Sequence, residues 1–250
     1  MVRPKKHLGQ HFLTDQNIAR KIVDQLSFQY PVLEIGPGKG VLTQYLLDKC
    51  KYGLYVIEID NEAIEYLRYE FPQLQGSLIE GDVLKTDLSG IMTTPSSIIG
   101  NFPYNISSQI FFRILENKDL VNEVVCMIQK EVAQRIATPP GSKEYGILSV
   151  LLQTFYQIDY LFTVGENVFF PPPKVKSAVI RLNRNDRHTL PCPDDFFFTV
   201  VKLAFNQRRK TLRNALSPLL KKEHNISAEF LSRALGKQLA IPVCGRFQLL

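Results

Sequence analysis

A chain of 250 residues with 45% apolar residues and a net charge of +6 is long enough for one large domain, or a large domain with a small appendage, around a packed core. It lacks any run of about 18 apolar residues, so no membrane span is expected, and the basic start (Arg3, Lys5, Lys6, His7) has no apolar segment behind it, so a cytoplasmic rather than a secreted protein is expected. Cys50, Cys126, Cys192 and Cys244 form no CxxC or Cys/His cluster, which argues against a disulfide framework and against a metal site.

In chain order, Thr14-Asp15 opens a capped helix over 14–27, with Ile18, Ile22, Val23 and Leu26 at helical spacing. Pro31-Val32-Leu33-Glu34-Ile35 predicts a buried strand feeding a glycine cluster. Helical periodicity resumes over 41–49. Strands follow at 52–59, 77–79 and 96–100, with a further one inside 120–129 and a helix over 62–71. Residues 131–137 and 142–157 read as helices. A triple proline precedes an extended run over 177–182, residues 183–195 read as a polar linker, and 196–250 is helical in pattern without strands.

Strands alternating with helices over about 130 residues predict an α/β fold, a doubly wound and largely parallel sheet. The expected division is a Rossmann-like domain over 1–184 and a small all-helical C-terminal domain over 190–250. Ligands of such sheets sit beyond the C-terminal ends of the strands.

The residues at those ends carry the chemistry. Gly36-Pro37-Gly38-Lys39-Gly40 follows the first strand, and glycine lets backbone approach a ligand closely. The dinucleotide fingerprint asks for glycine at position 41, where Val41 stands, which counts against NAD. Glu58 closes the next strand and suits two ribose hydroxyls; Asp82, at the end of the third, suits the exocyclic amine of an adenine. A site rich in carboxylates also favours a sulfonium cation. Together they point to S-adenosyl-L-methionine.

Asn101-Phe102-Pro103-Tyr104 follows the fourth strand. On its own it can be a proline turn with an aromatic plug. It also fits the needs of a planar amine, whose lone pair is delocalised and whose two N–H groups need acceptors. The Asn101 carbonyl and a backbone carbonyl at Phe102 or Pro103 can supply them, with Tyr104 stacking on the base. The proline-held loop Phe169-Phe170-Pro171-Pro172-Pro173-Lys174-Val175 offers an aromatic for the other face.

Taken with Lys6-His7-Leu8-Gly9-Gln10-His11-Phe12-Leu13, Gln129-Lys130-Glu131-Val132 and Phe205-Asn206-Gln207-Arg208-Arg209-Lys210-Thr211, these motifs resemble, in order, the KsgA (RsmA) family of small-subunit ribosomal RNA adenine-N6,N6-dimethyltransferases. The resemblance implies dimethylation of two adjacent adenines in the hairpin loop near the 3′ end of 16S rRNA, within a pre-30S particle, by a monomer. It puts His11 and Leu13 over the cofactor beside Gly36, Gly38, Glu58, Asp82 and Asn101, and picks Phe169 as the second stacking ring beside Asn101 and Tyr104. His11 replaces the Asn of some members, Phe102 the common Leu, and the end Pro242-Val243-Cys244-Gly245-Arg246-Phe247-Gln248-Leu249-Leu250 departs from the expected helical tail.

Between Lys202 and Lys222 stand Arg208, Arg209, Lys210, Arg213 and Lys221 and no acidic residue. A run of one sign favours phosphate contact, which positions RNA rather than reading it. Competing readings are a large-subunit RNA methylase of the antibiotic-resistance type, a non-catalytic RNA-binding factor and a nicotinamide dehydrogenase.

Overall fold

The computed structural model describes residues 2–207 and 210–222. Among the described residues nine strands fall into two sheets. The small one pairs β1 (Phe12–Leu13) with β8 (Phe169–Phe170), antiparallel. The main one holds β2 (Val32–Ile35), β3 (Leu54–Glu58), β4 (Leu78–Glu80), β5 (Ser96–Asn101), β6 (Val121–Gln129), β7 (Tyr156–Val164) and β9 (Ser177–Arg184). Its order is β4-β3-β2-β5-β6-β9-β7. The five strands from β4 to β6 are parallel; β9 runs antiparallel to both β6 and β7.

Helices cover both faces, and successive strand residues show it. Ile98, Val124, Cys126 and Ile180 belong to one apolar cluster, with Ile110, Phe111 and Ile114 of α4 (Ser107–Glu116), Ala133 and Ile136 of α5 (Lys130–Ala137) and Leu151 and Leu152 of α6 (Ile147–Phe155). Their strand neighbours Ile99, Val125, Met127 and Val179 join a second cluster with Ala19, Ile22 and Val23 of α1 (Gln16–Val23) and Leu46 of α2 (Thr43–Lys49). Alternate side chains of a strand point to opposite faces, so a sheet covered on both sides needs apolar residues at consecutive positions. Val56 packs beneath Leu67 of α3 (Asn61–Glu70) on the second face.

The doubly wound α/β sheet expected from the sequence is present, with three differences. The helix expected over 142–157 ends at Phe155, and the chain enters β7 at once. No glycine or proline separates the two elements, so no local signal marks the change. β7 is a half-exposed edge strand (Tyr156-Gln157-Ile158-Asp159-Tyr160-Leu161-Phe162-Thr163-Val164) whose pairing with β9 decides its conformation. α4 was not expected either; the turn at Pro103 hides its start. The linker proposed over 183–195 is shorter, because Asn183 and Arg184 complete β9 and α7 (Asp194–Asn206) begins with two acids, which favour a helix N-terminus.

α7 sends Phe197 and Val201 into the main core. Farther along, Val200, Ala204 and Leu216 make a small cluster of their own with Leu212, where α8 (Leu212–Ala215) meets α7. The described helices end with α9 (Ser217–Lys222). Arg208, Arg209 and the expected departure at 242–250 lie outside the described residues.

Candidate active site

The direction of winding reverses between β2 and β5, and a cleft of about 220 Å³ opens beyond the C-terminal ends of β2, β3, β4 and β5. Six of the residues expected in a cofactor site line it: His11, Gly36, Gly38, Glu58, Asp82 and Asn101. Leu13 is buried behind them and lines a smaller neighbouring pocket with Glu34 and Gly36.

Gly36 sits at φ 66°, with nothing within 4 Å of where a Cβ would project. That conformation, rather than crowding, requires glycine there, and the open space is room for a ligand. Glu58 ends β3 nearly buried. Its Oε2 accepts from the Gly38 N–H (3.1 Å) and its Oε1 from the N–H groups of Ile59 and Asp60 (2.9 Å each). Burial pushes the Glu58 carboxyl up from the ordinary range, and the backbone bonds pull it back. Oε1 is thus engaged by two donors and Oε2 by one, so Oε2 keeps acceptor capacity for a hydroxyl. Asp82 lies two residues past β4. Its Oδ1 accepts from the Leu84 N–H (2.9 Å), while Oδ2 has only a distant Lys85 (3.9 Å).

Glu34 is fully buried and pushed up to about 8, first by burial, then by the nearby Glu58 charge, against a 2.6 Å bond from the Thr43 hydroxyl. It is therefore mostly protonated at neutral pH.

The roof of the cleft is the N-terminal segment, and it is fastened at several points. Lys5 Nζ reaches Asp60 Oδ1 (2.5 Å) and Gln10 Nε2 reaches Asp60 Oδ2 (3.1 Å). Asp60 also caps α3 by accepting from the Glu62 N–H. His11 donates through Nδ1 to the Pro171 carbonyl (2.7 Å), and β1 pairs with β8. Sequence reasoning missed Lys5, Gln10 and Asp60 in this role, because a pairing across about 50 residues leaves no spacing signal; the motif from Lys6 to Leu13, which contains Gln10, was the available hint.

Asn101, the last residue of β5, donates through Nδ2 to the His11 carbonyl (2.9 Å). A carbonyl partner fixes the amide orientation and leaves Oδ1 as an acceptor for the cleft that Asn101 lines. Gly100 just before it passes 2.5 Å, at its would-be Cβ, from the Ile35 carbonyl, so only glycine lets β5 lie this close to β2 there. The Tyr104 ring stands 5.3 Å from that of His11, and its hydroxyl is 2.5 Å from Ser177 Oγ at the start of β9. Phe169 is 4% exposed within the cluster that holds Leu13 and Val179, whereas Phe170 is 58% exposed. Lys210 and Arg213 are exposed, and Lys202 lies over the Phe112 ring at 5.2 Å.

Among the described residues no group of His, Cys, Asp and Glu could hold a metal ion, and no helix is long and apolar enough to cross a membrane.

Residues 1–235 match the family model for ribosomal RNA adenine dimethylase. The chain is 57% identical to the ribosomal RNA small subunit methyltransferase A of Parabacteroides distasonis, over 89% of this chain and 84% of that one. It is 59% identical to the protein of the same name from Cytophaga hutchinsonii, over 87% and 86%. Among solved structures, a dimethyladenosine transferase from Plasmodium falciparum superposes with a TM-score of 0.71 at 28% identity, over 86% of this chain and 79% of that one. The 23S rRNA methyltransferase ErmE does so with a TM-score of 0.64 at 27% identity, over 83% and 84%.

Proposed function

The chain belongs to the ribosomal RNA adenine dimethylase family, and we propose from that premise that this S-adenosylmethionine-dependent methyltransferase dimethylates N6 of two adjacent adenines in the 3′-terminal hairpin loop of 16S rRNA. We further read it as a cytoplasmic monomer working on a pre-30S particle during small-subunit biogenesis. The small-subunit address rests on curated relatives at 51–59% identity that carry that name. The division into a catalytic unit over 1–184 and a helical RNA-binding unit over 190–250 is part of the same proposal.

The observation that carries the chemistry is the amide of Asn101: Nδ2 is taken by the His11 carbonyl, which leaves Oδ1 to accept in the cleft that Asn101 lines. The residues present fit the cofactor. Glu58 Oε2 would accept a ribose hydroxyl, Asp82 Oδ2 would accept from the adenine amine, and the open space above Gly36 would admit the rest of the molecule. When bound, S-adenosylmethionine supplies an electrophilic methyl group on a sulfonium centre.

The protein's own part is to bind, orient and polarise the target. Asn101 Oδ1 accepts one N–H of the target amine. A backbone carbonyl of Phe102 or of Pro103, the latter a cleft-lining residue that already accepts the Ile106 N–H (3.2 Å), accepts the other. Two acceptors draw the nitrogen toward a tetrahedral shape and free its lone pair. Tyr104, pinned through Ser177, stacks on the base. Phe169 closes the other face, which requires the β8 loop to uncover part of its ring. No strong base is needed at the outset, because the proton leaves an already cationic nitrogen. Orientation of this kind is worth up to about 7–11 kcal/mol.

Labelled-methyl transfer to immature small subunits and, separately, to large subunits tests the proposal. N6,N6-dimethyladenosine in the small-subunit RNA alone is expected. Its absence there, or its presence in the large subunit instead, would overturn the target.

A further inference from the structure

The two rings of β8 have opposite fates. Phe169 turns into the core and Phe170 turns out, 58% exposed. Across the proline run, Val175 is also 47% exposed. Single exposed apolar side chains are ordinary, but this pair shares a held loop. The Phe170 backbone pairs with Phe12, and the next carbonyl, that of Pro171, takes the His11 Nδ1 bond. The ring is thereby carried on backbone fastened to the N-terminal segment that roofs the cofactor cleft. Residues 167–177 contain no acid, and Lys174 and Lys176 are exposed with no ion pair among the described residues. Among the described residues the other exposed aromatics, Tyr52, Tyr55 and Tyr69, stand toward the opposite ends of β3 and α3 from Glu58 and Asp60.

An RNA chain that delivers one adenine to the cleft must carry its neighbours over this rim, with phosphates that seek cations and unpaired bases that seek a flat apolar surface. We infer that Phe170 is the stacking platform for the unpaired base next to the target adenine, with Lys174 and Lys176 meeting the phosphates of the same stretch. This rests on the RNA-substrate reading under Proposed function. A planar ring accepts any base, so the platform holds the strand without reading it. The charge of the rim favours RNA over an apolar protein partner.

The chain contains no tryptophan, so Phe170→Trp installs the sole reporter. Its emission is expected to be quenched when small-subunit RNA is added, and its KM for that RNA to stay within about twofold of the unchanged protein. Phe170→Leu keeps an apolar side chain without a stacking face; its KM for RNA is expected to rise about tenfold, with kcat and S-adenosylmethionine affinity little changed. Unquenched emission on saturation with RNA, or equal KM values for the Leu and Trp variants, overturns the platform. Methyl transfer by the unchanged protein, run alongside, separates the two levels. Transfer without quenching sinks the platform alone, and no transfer to small-subunit RNA sinks the reading beneath it as well.

Discussion

Asn101 gives its Nδ2 to the roof and lines the cleft, and the acceptor role proposed for its Oδ1 makes a direct prediction. Asn101→Ala removes an acceptor needed most as the amine pyramidalises, so kcat is expected to fall about 10²–10³-fold, with RNA and cofactor binding retained within about threefold. Single-turnover kinetics beside calorimetric titration check it, and retained turnover refutes the role. Tyr104 and Ser177 act as a unit through the hydroxyl contact. Ser177→Ala and Tyr104→Phe should each lower kcat severalfold, and the double variant no further; full additivity would show that the contact does not orient the ring. Glu34 speaks to stability. Its folded pKa is raised to about 8, so its contribution is fully present below the ordinary carboxylate range and is lost as pH rises through about 8. Glu34→Gln removes that slope. The melting temperature of the variant, relative to the unchanged protein, is therefore expected to climb between pH 5 and 9, by at most about 1.4 kcal/mol of stability per pH unit; parallel pH profiles would reject the assignment. The place of Glu58, Asp82 and Asn101 at the cleft was legible in the sequence because strand ends are where ligands meet a parallel sheet. Ser177 was not legible as a partner, since only the fold brings it to Tyr104.

Among the elements, the N-terminal strap shows how a segment of almost no regular structure is held over a site. Burial raises the Asp60 carboxyl, but Lys5, Gln10 and the Glu62 N–H outweigh it and hold the group below its ordinary value, while Asp60 raises Lys5 in turn. A depressed carboxyl contributes above the ordinary carboxylate range and loses that contribution only as pH falls through the lowered value, so the fastening persists at neutral pH. Lys5→Met leaves the cap of α3 intact and unfastens one end of the strap. S-adenosylmethionine affinity is expected to drop about three- to tenfold, with earlier cleavage in limited proteolysis near residue 9; unchanged affinity and cleavage would mean that the strap is held by β1–β8 alone. The strands of the parallel half were legible because each is a short apolar run bounded by turns. β7 was not: it is half-exposed, follows α6 without a break, and owes its conformation to β9. The same applies to β1 and β8, two residues each, which exist only because they pair with one another.

For the whole molecule, the antiparallel end of the sheet is what the sequence pattern alone could not supply, because strand order is a property of long-range pairing. The position of the cleft was legible, since it follows from parallel winding alone. The basic run after Lys202 becomes more specific in three dimensions. Leu212 and Leu216 turn toward α7, and Lys202 is engaged with the Phe112 ring, which leaves Lys210 and Arg213 exposed beside the start of α8. Two cations free of ion pairs among the described residues are suited to phosphates, and phosphate contacts have a measurable signature: each one released weakens binding in proportion to the logarithm of salt. The joint variant Lys210→Gln, Arg213→Gln is expected to raise KM for small-subunit RNA at low salt and to flatten the dependence of log KM on log salt by about 1.4 for two contacts to a single-stranded stretch, with kcat nearly unchanged. The weakening should be the same for RNAs of different sequence but like shape, because these contacts position rather than read. A salt slope equal to that of the unchanged protein would instead make both side chains part of a solvated face and move the phosphate track elsewhere on the molecule.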